Sequence, residues 1–108
     1  MATSIEWPAL ILKASTVKFA EPITAFLWMP EAEYPCVIGR VYMDHKGRFK
    51  DGRLIRTSAV MSLYQEAGYV VAVTFAKSRY VLVHDGGEQM LSLAMLHPTF
   101  PDPRGNIH

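Results

Sequence analysis

The chain has 108 residues, 50% of them hydrophobic and 19% charged, with 11 Lys and Arg set against 10 Asp and Glu. A chain of this size buries roughly 65% of the surface its unfolded form exposes, enough for one core without metal or disulfide staples. The composition excludes a disordered chain, whose mark is low hydrophobicity with high net charge. The single cysteine, Cys36, excludes an internal disulfide framework.

One unpaired thiol suits a reducing compartment. The N-terminal stretch carries Glu6 ahead of a four-residue apolar run, Ala9 to Leu12, with no basic region before it, so it does not read as a signal peptide. No apolar run approaches the roughly 20 residues of a membrane span. These features predict a cytoplasmic protein with no membrane partner.

In chain order, Ala9–Ser15 with Thr16–Phe19, and then Ile23–Met29, read as strands bounded by Pro8, Pro22, Pro30 and Pro35. The proline density places them at sheet edges or next to loops. Residues 36–43 are rich in β-branched and aromatic side chains, with Val37, Val41 and Met43 on one parity and Arg40 and Tyr42 on the other, as a strand with one wet face requires. Asp44-His45-Lys46-Gly47 and Lys50-Asp51-Gly52 supply turn chemistry, which makes Arg48-Phe49-Lys50 a short edge piece between two turns. Leu54-Ile55-Arg56 reads as another short strand.

In the segment after Thr57-Ser58, the residues Val60, Met61, Tyr64 and Ala67 form a helical stripe that ends at Gly68. The spacing predicts a helix over about 59–67, capped by Ser58. Tyr69–Phe75 and Arg79–His84 flank a short polar link and predict a hairpin. Residues 88–97 fit a helix, from the capping-box spacing of Asp85 and Glu88 and the stop at Pro98, and equally fit a strand by alternation. Residues 98–108 are rich in proline and read as an extended tail. The expected fold is a single α+β domain over residues 1–97. It is a mainly antiparallel curved sheet or small open barrel on one helix, 59–67, with 88–97 as a candidate second.

The four histidines, His45, His84, His97 and His108, have no spacing that puts ligands on one helix face or in one knuckle, so no metal site is assigned. No phosphate-cradling glycine motif is present, and no cofactor is assigned. His84 with Asp85 at a strand end could orient an imidazole toward Ser58 or Thr57. A combination of this kind occurs in almost any chain of this length, and Ser58 is better explained as a cap. The reading is therefore of a protein that is not an enzyme.

One charge feature stands out. Residues 37–56 hold Arg40, Lys46, Arg48, Lys50, Arg53 and Arg56 against only Asp44 and Asp51. Interleaved with Tyr42 and Phe49, these could follow a phosphate backbone with the two rings as stacking platforms. They could equally dock on a protein, or be the solvated Lys and Arg that protect a sheet edge. Trp7, Trp28, Met29, Tyr34, Tyr42, Phe49 and Tyr69 all lie beside turns or prolines, where they either fill the core or serve an interface, including pairing of two copies through a strand edge.

Gly47-Arg48-Phe49, Asp51-Gly52, Ile55, Thr57-Ser58 and then Ser78-Arg79-Tyr80-Val81-Leu82 resemble a pattern of small bacteriophage and prophage proteins. In that pattern a GRF-x-DG-x-x-I-x-TS core precedes a hairpin ending in S-x-Y-x-L. The likeness covers roughly residues 37–84. The motif residues look structural: Asp51 bonds turn amides, Phe49 staples the loop to the core, and Thr57-Ser58 start the helix. The resemblance implies a protein that binds and blocks a host protein or defence complex, of the anti-CRISPR or anti-restriction kind. The candidate partner-binding residues are Arg40, Arg48, Phe49, Lys50 and Arg53, with the arginines offering bidentate contacts and Phe49 an apolar anchor. A small nucleic-acid-binding module using residues 40–56 is the alternative.

Overall fold

The computed structural model describes residues 7–85. The expectations for 88–97 and for the tail at 98–108 lie outside them. One helix, α1 (Ala9–Ser15), is followed by six strands: β1 (Ala25–Glu33), β2 (Cys36–Tyr42), β3 (Arg53–Arg56), β4 (Val60–Glu66), β5 (Tyr69–Thr74) and β6 (Arg79–Val83). They form one sheet in the order β3-β2-β1-β6-β5-β4. All neighbours are antiparallel except β1 and β6, which run parallel. The domain is α+β, as expected, with a mixed sheet that does not close into a barrel.

A short connection forces the sheet to curl. β3 and β4 are its two edges, which in a flat six-stranded sheet would lie about 24 Å apart at about 4.8 Å per strand. Only residues 57–59 join them, and the four steps from Arg56 to Val60 span at most about 14 Å. The sheet bends until Val60 N–H donates to the Pro35 carbonyl at 2.6 Å and Thr57 N–H to the Val37 carbonyl at 2.9 Å. Inside the curl lies a core of Leu27, Val37, Val41, Val60 and Leu82, all fully buried.

A bulge interrupts β1, where the register with β2 shifts between Trp28 and Glu31 and Met29 takes φ 53°. Pro30, which has no N–H to give a ladder, occupies this bulge. Gly39 faces it on β2. A Cβ there would stand 3.3 Å from both the Trp28 carbonyl oxygen and the Leu27 Cβ, a tight fit that would make the two strands give by a few tenths of an ångström.

Two segments exchange the roles that their patterns predict. Ala9–Ser15, expected as a strand, is helix α1. Ile11 and Ala14, three apart, are buried against the outer face of the sheet beside Phe26, Val71 and Val81. Pro8 ends the preceding chain, and its carbonyl accepts from the N–H groups of Ile11 and Leu12. The helix expected at 59–67 is instead strand β4, and Ser58 caps nothing. Val60 and Leu63 enter the inner core while Tyr64 packs on the outer face. Gly68 is not a helix C-cap: Ala67 (φ 53°) and Gly68 (φ 85°) are the two central residues of a tight β4–β5 turn, both in the left-handed region that a type I′ hairpin demands. A glycine at the end of such a run signals either a helix stop or a hairpin turn, and the hairpin prevails because β5 offers β4 a partner.

The remaining strands fall where expected. Ile23–Met29 overlaps β1, 36–43 overlaps β2, Leu54–Arg56 lies within β3, and the hairpin at 69–84 is β5 and β6. Arg48-Phe49-Lys50 is not an edge strand but part of the loop from Met43 to Gly52.

Candidate functional site

The loop between β2 and β3 is built around Asp44, whose side chain is 1% exposed. Its Oδ1 accepts from Lys46 N–H at 3.1 Å, and its Oδ2 accepts from the N–H groups of Arg48 at 2.8 Å and Phe49 at 3.1 Å. The Arg48 Nε stands 3.4 Å from the same Oδ2. An Asx side chain that bonds the amides following it is the common way to fold such a loop without a ladder. Burial pushes the Asp44 carboxyl up, but these donors together outweigh it, and the net displacement is below the usual 3.8.

A second carboxylate holds the other side of the loop. Asp51 Oδ1 accepts from Met43 N–H at 2.8 Å, stabilising a residue that the chain forces to φ 55°. Gly52 N–H donates to the Val41 carbonyl at 2.7 Å, and Arg53 N–H closes a turn on the Lys50 carbonyl at 3.1 Å.

This scaffold separates the five candidate residues into two groups. Phe49 turns inward, while Arg48, whose side chain is 37% exposed, is held along the loop by its partners. Arg48 Nη2 donates to the Tyr80 hydroxyl at 3.0 Å, and its guanidinium carbon lies 4.8 Å above the Phe49 ring centre. Burial lowers the Arg48 pKa, while Tyr80 and then Asp44 raise it and prevail, so the charge is permanent. Phe49 packs on the inner core, as the staple role requires.

Arg40, Lys50 and Arg53 turn outward. Arg40 Nη1 donates to the Gly52 carbonyl at 2.9 Å, which draws its guanidinium to the same turn that carries Lys50 and Arg53. All three are exposed. Three cations on one braced turn can accept carboxylates or phosphates with little loss of loop entropy on binding.

The other candidates are dispersed. Tyr42 is 6% exposed under Trp7, in an edge-on contact at 6.0 Å, and the face of Phe49 is occupied by Arg48, so neither ring is the stacking platform the basic segment invites. Ser58 Oγ accepts from Ala76 N–H at the turn that begins β6, whereas His84 follows the far end of that strand. Five strand residues rising about 3.3 Å each separate them, so they form no dyad. Thr57 Oγ1 accepts from Val37 N–H and donates to the Ser58 carbonyl, welding the β3–β4 connection to β2 instead of starting a helix. Arg56 pairs with Glu33. Among the described residues no group of three or more His, Cys, Asp or Glu could hold a metal ion, and no helix is long and apolar enough to cross a membrane.

Two rings are exposed among the described residues: Tyr34, one of the aromatic residues weighed as core or interface, and Phe75, which is not among the candidates drawn from the sequence. Phe75 and Tyr34 stand in the turns after β5 and after β1. The signal available for Phe75 was its place just past the end of the apolar strand β5, before a polar link. Comparison of the chain with protein-family models, with curated proteins and with solved structures finds no match.

Proposed function

We propose that the chain is a small cytoplasmic interaction protein of the phage or prophage kind, which binds and blocks a host macromolecular target such as a defence complex and carries out no chemistry of its own. The observation that supports this reading is the braced turn bearing Arg40, Lys50 and Arg53. Asp44 and Asp51 hold the loop, so the exposed Lys50 and Arg53 can serve a partner without cost to the fold, with Arg40 held beside them on the Gly52 carbonyl. The resemblance of residues 37–84 to small phage proteins supports it by analogy.

The test is capture from host lysate by the tagged chain, with and without nuclease, read by mass spectrometry beside a Lys50→Glu/Arg53→Glu variant. One near-stoichiometric protein that survives nuclease and is lost in the variant upholds the reading. A protein set that is unchanged in the variant removes the turn from the function.

A further inference from the structure

The sheet ends in two edges of opposite character. β3 is short and carries the exposed Arg53 and Arg56. Pairing it antiparallel with a copy of itself would set Arg53 against Arg56, and like charges directly opposite one another repel. Cations of this kind are how native sheets blunt an edge. β4 is seven residues long, contains no Lys, Arg or Pro, and has no strand on its far side among the described residues. Its one charge is Glu66, whose carboxylate accepts from Ala20 N–H at 2.8 Å.

The hairpin register fixes which backbone groups of β4 face the open side. Glu66 and Tyr69 flank a two-residue turn and are therefore a hydrogen-bonded pair. Alternation from there turns the backbone groups of Tyr64 and Ser62 toward β5 and leaves the N–H and C=O of Gln65 and Leu63 on the open side. The start of the strand has the same phase: the Ala59 carbonyl accepts from Phe75 N–H on the β5 side, while Val60 N–H points away from β5 to the Pro35 carbonyl. The register shift lies between Val60 and Ser62. The β1–β2 tip therefore closes the first part of the edge, and a regular stretch from Ser62 to Glu66 stays open.

That stretch is complementary to itself. Set antiparallel to a second copy about an axis through Tyr64, Leu63 of each copy lies opposite Gln65 of the other, and each such pair exchanges both N–H···O bonds. Tyr64 lies opposite its own equivalent at the centre, an aromatic cross-strand pair of the kind that stabilises sheets. Glu66 lies opposite Ser62, so no like charges meet. The small turn residues Ala67 and Gly68 fall opposite Met61 and Val60, where the β1–β2 tip already stands. We propose that β4 pairs antiparallel with β4 of a second copy of this chain, forming a twofold dimer with one continuous sheet. The contact uses neither β3 nor the turn of Arg40, Lys50 and Arg53, and the proposal does not depend on what that turn binds. A stretch this short covers less surface than the roughly 1,200–2,000 Å² of a tight interface, so the dimer has a Kd in the micromolar range.

The experiment is sedimentation velocity of the full chain from about 1 to 300 μM, a span that brackets an interface of this size. A reversible shift from monomer to dimer is expected, with no larger species, because a twofold contact closes at two. Gln65→Pro removes an outward N–H without touching the β4–β5 ladder and should leave the chain monomeric throughout. Gln65→Lys gives β4 the protection that β3 has and should weaken the dimer about tenfold, and more at low salt. It carries the test alone should the proline variant unfold, which circular dichroism reads. Lys50→Glu/Arg53→Glu should dimerise as wild type does. Amide exchange followed by NMR locates the contact: the Leu63 and Gln65 amides should slow as the concentration rises. A wild type that stays monomeric at the highest concentration overturns the proposal, as does a dimer unchanged in Gln65→Lys. A dimer in which the Leu63 and Gln65 amides exchange as fast as in the monomer lies on another surface and overturns it too.

Discussion

Arg48 and Arg53 belong to one basic segment and stand five positions apart, yet their surroundings give them different work. Arg48 lies between Asp44, Tyr80 and the face of Phe49, each of which would lose a partner if it were removed. Arg53 projects from the turn that follows, and only its backbone N–H is engaged, on the Lys50 carbonyl. Charge in a sequence is therefore not a single property. A cation whose donors are taken up inside the fold contributes to stability, and one whose donors face water is available to a partner. The segment is part scaffold and part surface: Arg48 is tied to Asp44, Tyr80 and Phe49, while Lys50 and Arg53 project from the turn.

The sharpest way to break this division is at the centre of the scaffold. Asp44→Ala leaves three backbone N–H groups and the Arg48 guanidinium without their acceptor, and we expect a loss of about 2–4 kcal/mol. For a domain of this size that is a fall in thermal midpoint of at least about 8 °C, read by calorimetry. An unchanged midpoint would mean that the loop does not depend on this carboxylate.

A smaller effect is expected at the arginine held along the loop. Arg48→Gln removes the contact to Tyr80 and the stacking on Phe49 and should cost about 1 kcal/mol, with Tyr80→Phe costing less because the ring stays buried. Acid provides an independent measure. The Asp44 carboxyl is held below 3.8 in the folded chain, so its contribution is fully present above that value and is lost as the pH falls through the lowered one. Wild type should lose more stability than Asp44→Asn across that window in acid titrations followed by circular dichroism, and parallel curves would show that the carboxylate is not held by its loop.

The parts of this structure that were legible in the sequence are those where local pattern and tertiary demand agree. Residues 36–43 alternate as a strand and form β2, although Tyr42 on the predicted wet face is buried under Trp7, and the two runs around Ala76-Lys77-Ser78 pair with each other as the short link between them requires. The parts that were not legible carry patterns that fit two structures. Ala9–Leu12 is an apolar run too short to show a period, and burial of Ile11 and Ala14 on the sheet decided it. Val60–Gly68 has both a helical stripe and a hairpin ending, and its partner β5 decided it. The site was half legible for a related reason. The run of Arg and Lys marks a basic loop, but the direction of each side chain depends on Asp44, Tyr80 and Gly52, which are brought together only by the fold.

The smallest expected effect on stability is also the most informative. Lys50→Glu/Arg53→Glu reverses two charges that the fold does not use, and its midpoint should stay within about 0.5 kcal/mol of wild type. Measured beside Arg48→Gln, in one series that reads thermal midpoint and retention of the captured partner together, it tests the division directly. The account predicts a stable double variant that no longer retains the partner and a less stable Arg48→Gln that still does. The reverse pattern, a destabilised double variant that retains the partner and a stable Arg48→Gln that has lost it, would contradict the account.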